Sequence, residues 1–302
     1  MTRCTVTDVK AARISYRATF LLLCVLASSP AAAAPFTFST GNPDGLMATS
    51  SRLGIPGGVA TETADDFVLT ARTRITQATF YGLLPTGAQL GNISDLQIAF
   101  YNVFPVDSVN PPSGHVPTRV NSPSDTDIGA ARRRASGGAL NYSLQLLNPS
   151  FTTQNSVVNG IHPLPNNFTG GEGPSTGEEV GVTVNFTTPV ILDAGHYFFV
   201  PQTLGEELLW LSAARPIIAP GTPFAPDLQS WIRDENLAPD WLRIGTDITG
   251  QGPFNAAFAL AGETIDGNGA VPEPSGWVIL PGLATLLALR QRKGARESVA
   301  SA

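Results

Sequence analysis

The hydrophobic pattern through the middle of the chain repeats every second residue. In the run VGVTVNF, Val180, Val182, Val184 and Phe186 alternate with Gly181, Thr183 and Asn185, so an extended backbone buries one face and gives the other to water. Short runs rich in β-branched and aromatic residues recur between Gly, Pro, Asn and Asp. They predict strands near residues 66–69, 75–84, 96–104, 140–147, 180–186, 190–192, 197–200, 208–212, 242–245 and 254–260. Without alternating helical units, such a series predicts an all-β body, an antiparallel β-sandwich of the jelly-roll kind, with a two-module β protein as the alternative. Trp210, in LLWL, belongs to its core. One stretch has helical spacing: the Asp227 carboxylate can cap LQSWIRDEN, with Leu228, Trp231 and Ile232 on one side, which predicts a short helix over 227–236. Residues 105–138 and 159–178 read as long loops, and loops of that length are commonly functional or mobile.

Composition agrees with the pattern. With 30 Gly, 25 Pro and only 14% charged residues in 302, the chain is built for turns rather than long helices. The two ends differ from the body. At the N-terminus Arg3, Lys10, Arg13 and Arg17 precede the apolar run ATFLLLCVLA and then SSPAAAAP, which is the order of a secretory signal peptide with cleavage after Ala33. The apolar run is about half of the roughly 20 residues a bilayer span needs. Leu23 before Cys24 is too large for a lipid-anchored cysteine, and Cys4 and Cys24 both leave with the signal. The mature chain then has no disulfide, thiol nucleophile or thiolate metal site.

At the other end VPEPS, with Pro272, Glu273, Pro274 and Ser275, is followed by the apolar WVILPGLATLLAL and by a basic stop of Arg290, Arg292 and Lys293. The three parts, in this order and close to the chain end, resemble the PEP-CTERM sorting signal. That resemblance implies processing by signal peptidase and then by an exosortase, a membrane protease of bacteria that make exopolysaccharide. It also implies transient membrane insertion, then a place at the cell surface or in the extracellular matrix. The expected organisation is a signal peptide over 1–33, an extracytoplasmic body over 34–270, the sorting signal over 271–293 and a cytoplasmic tail over 294–302.

Residues 34–271 hold ten arginines, no lysine and 21 acids, a net charge of −11. Such a body is repelled by phosphate backbones and anionic lipid headgroups, so no nucleic-acid partner is expected. Arg132, Arg133 and Arg134 cluster, but Ser, Pro, Asp and Gly surround them, as in a solvated loop open to proteolytic nicking.

Chemistry-bearing motifs are few. His115, His162 and His196 lie far apart, and neither HExxH, GxSxG, a P-loop nor a dinucleotide-binding fingerprint occurs. No catalytic residue and no cofactor is therefore assigned. Acid pairs at Asp65 and Asp66, Asp125 and Asp127, Glu178 and Glu179, Glu206 and Glu207, and Asp234 and Glu235 read as solvated turns and strand ends. A structural calcium ion held by loop oxygens is a further expectation, with Asp44, Asp65, Asp66, Asp125 and Asp127 as candidates. Trp231 and Trp241 border polar sequence and are candidates for stacking on sugar rings. The functional expectation is a non-catalytic surface or matrix protein associated with exopolysaccharide; the alternative is a secreted glycosidase using paired carboxylates.

Overall fold

Residues 33–54, 58–104, 112–161, 169–214 and 228–265 are described by a computed structural model. The segments expected to be a signal peptide and a sorting signal with its basic stop, together with Asp227 and His162, lie outside these residues. The described ones all belong to one compact unit, Ala33–Asp266. Among them no helix is long and apolar enough to cross a membrane.

Alternation becomes strand wherever one face meets the core. In chain order the strands are β1 (Pro35–Ser39), β2 (Pro43–Thr49), β3 (Thr61–Leu69), β4 (Thr73–Pro85) and β5 (Asp95–Asn102). Next come β6 (Arg133–Arg134), β7 (Asn141–Thr153), β8 (Asn155–Val157), β9 (Ser175–Leu192) and β10 (Gly195–Leu204). The series ends with β11 (Leu209–Ala213), β12 (Trp231–Asp234), β13 (Leu242–Arg243), β14 (Asn255–Ala256) and β15 (Phe258–Thr264). They form two sheets and a sandwich-like all-β body, as the period-two pattern predicts.

In the larger sheet β4 is flanked on one side by β9 and then β7, and on the other by β15 and β11, which lead to β1 and to β2–β8. The smaller sheet runs β13–β12–β3–β10–β5–β6. Every pairing between these strands is antiparallel except β2 with β8. The main core lies between the sheets. Phe199 of the smaller sheet stacks on Phe258 of the larger at 5.1 Å, and the Trp210 ring meets both at 5.7–5.8 Å, edge-on. The Trp210 indole N–H donates to the Ala257 carbonyl at 3.0 Å, so this tryptophan is core, as expected.

The predicted helix over 227–236 is a strand instead. Trp231 to Asp234 pairs with Thr61 to Ala64 of β3, and Trp231 and Ile232 point to opposite sides. Trp231 packs with Ala64, Phe198 and Trp241 in an outer apolar layer, while Ile232 joins Val116, Leu237, Leu242 and Ile244. A strand buried on both faces loses its alternation, and its apolar residues then mimic helical spacing.

The Arg132–Arg134 cluster is also not a loose loop. Arg133 and Arg134 form β6 on β5. Arg132 grips Asp127 with two bonds, Arg133 donates to the Thr188 and Pro189 carbonyls, and Arg134 donates to Asp95 at 2.6 Å. Each cation has its own structural partner.

Candidate functional site

A polar turn and a buried acid pair build opposite walls of one cleft. In TRVNS the Ser122 N–H donates to the Arg119 carbonyl at 3.0 Å, and Asn121 takes the left-handed φ of 59° that asparagine tolerates. Arg119 fixes the turn. Its buried guanidinium forms an ion pair with Asp240 at 2.9 Å, a second with Asp125, and lies 4.0 Å from the centre of the Phe104 ring. Burial pulls the Arg119 pKa below its ordinary value, and Asp240 opposes that.

The other wall is the segment entering β12. The Leu228 N–H donates to Asp66 Oδ1 at 3.0 Å, and the Ser230 hydroxyl to Asp65 Oδ1 at 3.2 Å. Asp65 also accepts the Ala256 N–H at 2.7 Å, while Asp66 Oδ2 lies 2.5 Å from Nε2 of the buried His196. Gln229 accepts the Thr246 hydroxyl at 2.6 Å, and Arg243 makes a two-bond contact with Asp247.

Between these walls is a cleft of about 510 Å³. Pro117, Thr118, Val120 and Asn121 line one side; Leu228, Gln229, Trp231, Arg243 and Pro253 line the other. The volume is in the range of small-ligand sites, roughly 300–1,000 Å³. Amide, hydroxyl and guanidinium groups alternate with prolines and aliphatic side chains, an arrangement suited to a ligand with hydroxyls at its rim and C–H faces. Among the described residues no carboxylate and no histidine lines it.

The residues expected to act as sites are distributed differently. Trp231 and Trp241 are 2% and 0% exposed, so neither presents a face for stacking on a sugar. Trp231 touches the cleft but is packed into the outer layer; Trp241 meets Tyr101 edge-on at 5.4 Å and carries the Arg233 guanidinium 4.2 Å over its ring. Of their polar sequence neighbours Arg233 and Asp240 are buried in ion pairs, while Glu235 and Asn236 are exposed. Arg233 donates to Glu62 at 2.5 Å and to the Tyr101 hydroxyl at 3.0 Å. Burial, then Glu62, raise the Tyr101 pKa.

The calcium candidates are not gathered. Asp44 accepts the Leu46 N–H and the Ser212 hydroxyl, Asp65 and Asp66 hold the cleft wall, and Asp125 and Asp127 pair with Arg119 and Arg132. Among the described residues no three His, Cys, Asp or Glu side chains come together as a metal site.

The acid pairs are likewise divided. Asp65 and Asp66 are buried, not solvated as expected, because donors from β14 and from residues 228–230 replace water. Glu206 accepts from Asn92 and Glu207 from Ser50, with Arg52 beside it, while Asp234 closes a turn onto the Asn236 and Leu237 N–H groups. His196 is buried within the fold. Thr118, Asn121 and Gln229 had no signal beyond the turn chemistry of VNS.

No family model, no curated protein and no solved structure matches the chain.

Proposed function

We propose that this is an exported bacterial surface or matrix protein that binds exopolysaccharide without turning it over. Its two terminal segments deliver it, the first as a signal peptide and the second as a PEP-CTERM tail cut by an exosortase. The cleft lining carries the binding part of the reading: hydroxyl-binding groups on two pinned walls and, among the described residues, none able to serve as general acid or base. A glycosidase needs two carboxyl groups facing a bond across such a space. Here the neighbouring acids Asp65, Asp66, Asp125 and Asp247 are bonded to protein donors that shape the walls.

Short oligosaccharides cut from the host's own exopolysaccharide provide the test. Titration calorimetry on the full chain is expected to show binding with no new reducing ends, and Asn121→Ala with Gln229→Ala to weaken it about tenfold, two modest hydrogen bonds' worth. Glycan turnover, or binding unchanged in the double variant, overturns the reading.

A further inference from the structure

The outer face of the larger sheet carries an ordered polar array bordered at one end by the exposed Arg74–Glu263 ion pair. Register places Ser39 opposite Ala259, Ala259 opposite Thr79, Thr79 opposite Thr183 and Thr183 opposite Ser143. One step along, Thr37, Ala261, Gln77, Asn185 and Asn141 form a second row across the same five strands, β1, β15, β4, β9 and β7. The alternate residues Phe38, Leu260, Ala78, Val184 and Tyr142 pack toward the main core, so these ten face outward. All are exposed or half-buried.

Sheet geometry sets the spacing at about 4.8 Å between neighbouring strands and about 6.8 Å between the two rows. A shallow groove of about 250 Å³ follows β1, β15 and β4 through this face. Gln77 Nε2 donates to Asn185 Oδ1 at 3.1 Å, which orients both amides across the strands.

We propose that this face is a platform for an extended, uncharged polysaccharide chain. The argument rests on charge and on hydrogen bonding. A body that carries ten arginines against 21 acids over 34–271 has no charged residue in either row, the bordering Arg74 and Glu263 are paired with each other, and the acidic remainder keeps polyanions away. Without arginine or lysine in the rows there is nothing to neutralise phosphate. Hydroxyls and amides covered by an apolar partner would be left unpaired, at a cost that a lipid surface or hydrophobic peptide cannot repay. A chain of neutral sugars offers donors and acceptors along its whole length, and the alanines Ala259 and Ala261 leave room beside the side chains for its C–H faces. The inference shares with the proposed function only the class of partner; it concerns a different surface and a longer ligand.

Affinity electrophoresis of the full chain in mild non-ionic detergent tests it, with hydroxyethylcellulose as neutral polymer and polygalacturonate as acidic polymer. Wild type is expected to be retarded by the first only. Thr79→Val with Thr183→Val keeps the shape and the strand preference but removes two hydroxyls, and should weaken retardation about tenfold in Kd. Thr183→Ser, which restores a hydroxyl, should stay close to wild type. An unretarded wild type, equal retardation of the valine variant, or equal retardation by polygalacturonate overturns the platform. Loss in the cleft variant, Asn121→Ala with Gln229→Ala, instead transfers polymer binding to the cleft and leaves the proposed function standing. A wild-type dimer that becomes monomeric in the valine variant would assign the face to a second copy of the chain and overturn the platform.

Discussion

A carboxylate taken out of water keeps its charge only where donors replace the water, and Asp95 is such a case. It is 4% exposed, and burial by itself would raise its pKa; bonds from Ser136 and from Arg134, helped by the Leu96 N–H, outweigh that and leave it lowered. The folded value therefore lies below the unfolded one, near 3.9. Stability from this clamp is fully present above that value and is lost as pH falls through the folded pKa. Thermal melts of wild type and Asp95→Asn should differ at pH 7, by about 1–2 kcal/mol for charge-assisted bonds made neutral, and converge toward pH 2. A gap that persists in acid would remove the clamp. At this scale the sequence was least legible. The Asp65–Asp66 pair looks like a solvated turn because its partners, Ala256, His196 and residues 228–230, lie more than 100 positions away in the chain. Trp231 and Trp241 misled for the same reason: the residues that bury them, Phe198 and Tyr101, belong to other strands.

Strands were legible where a long run keeps one face wet. Strand β9 alternates because Val180, Val182 and Val184 face the core and Thr183 and Asn185 face solvent. Strand β10 is buried almost throughout, so its HYFFV run betrays a strand only by β-branched and aromatic content, and β12, doubly buried and short, imitates a helix. Strand β1 escaped because its alternation, Phe36 and Phe38 about Thr37, is only five residues long, and β2 and β8 because few of their residues are large and apolar. Two glycines of β9 separate close approach from ordinary packing. A Cβ on Gly177 would lie 2.0 Å from the Leu84 carbonyl oxygen, on backbone that cannot give way without breaking the β4–β9 register; a Cβ on Gly181 would meet only the movable Leu147 side chain, at 3.2 Å. Gly177→Ala should cost about 2–3 kcal/mol in urea denaturation, as overpacking does, and Gly181→Ala less than about 0.5 kcal/mol. Equal costs would mean that the strands part freely at Pro85.

For the whole molecule, charge and hydropathy divide the chain into an acidic body and two apolar, basic ends, and the proposed function rests on the ends doing different work. Residues 277–289 are 13 in number, fewer than the roughly 20 of a comfortable span, so the tail suits an anchor held briefly for a membrane protease better than a permanent one. In the proposed sorting role Pro272 and Pro274 would keep the motif out of a helix continued from the span, since proline fixes φ and lacks the N–H. On the same proposal Arg290, Arg292 and Lys293 would keep the far end in the cytoplasm. Replacing Pro272, Glu273 and Pro274 with alanine touches neither the apolar run nor the basic stop, so insertion should persist while cutting fails, and the variant should accumulate uncut in the membrane fraction of its native host. Deleting residues 290–293 should act differently, scrambling topology without changing the cut site. Fractionation with an antibody to the body distinguishes the two, because uncut protein keeps the mass of the tail. Release of the alanine variant at the wild-type rate would leave an ordinary tail anchor or an incidental apolar end in place of a sorting signal, and the cleft and the sheet face would then have to act from wherever that end leaves the body.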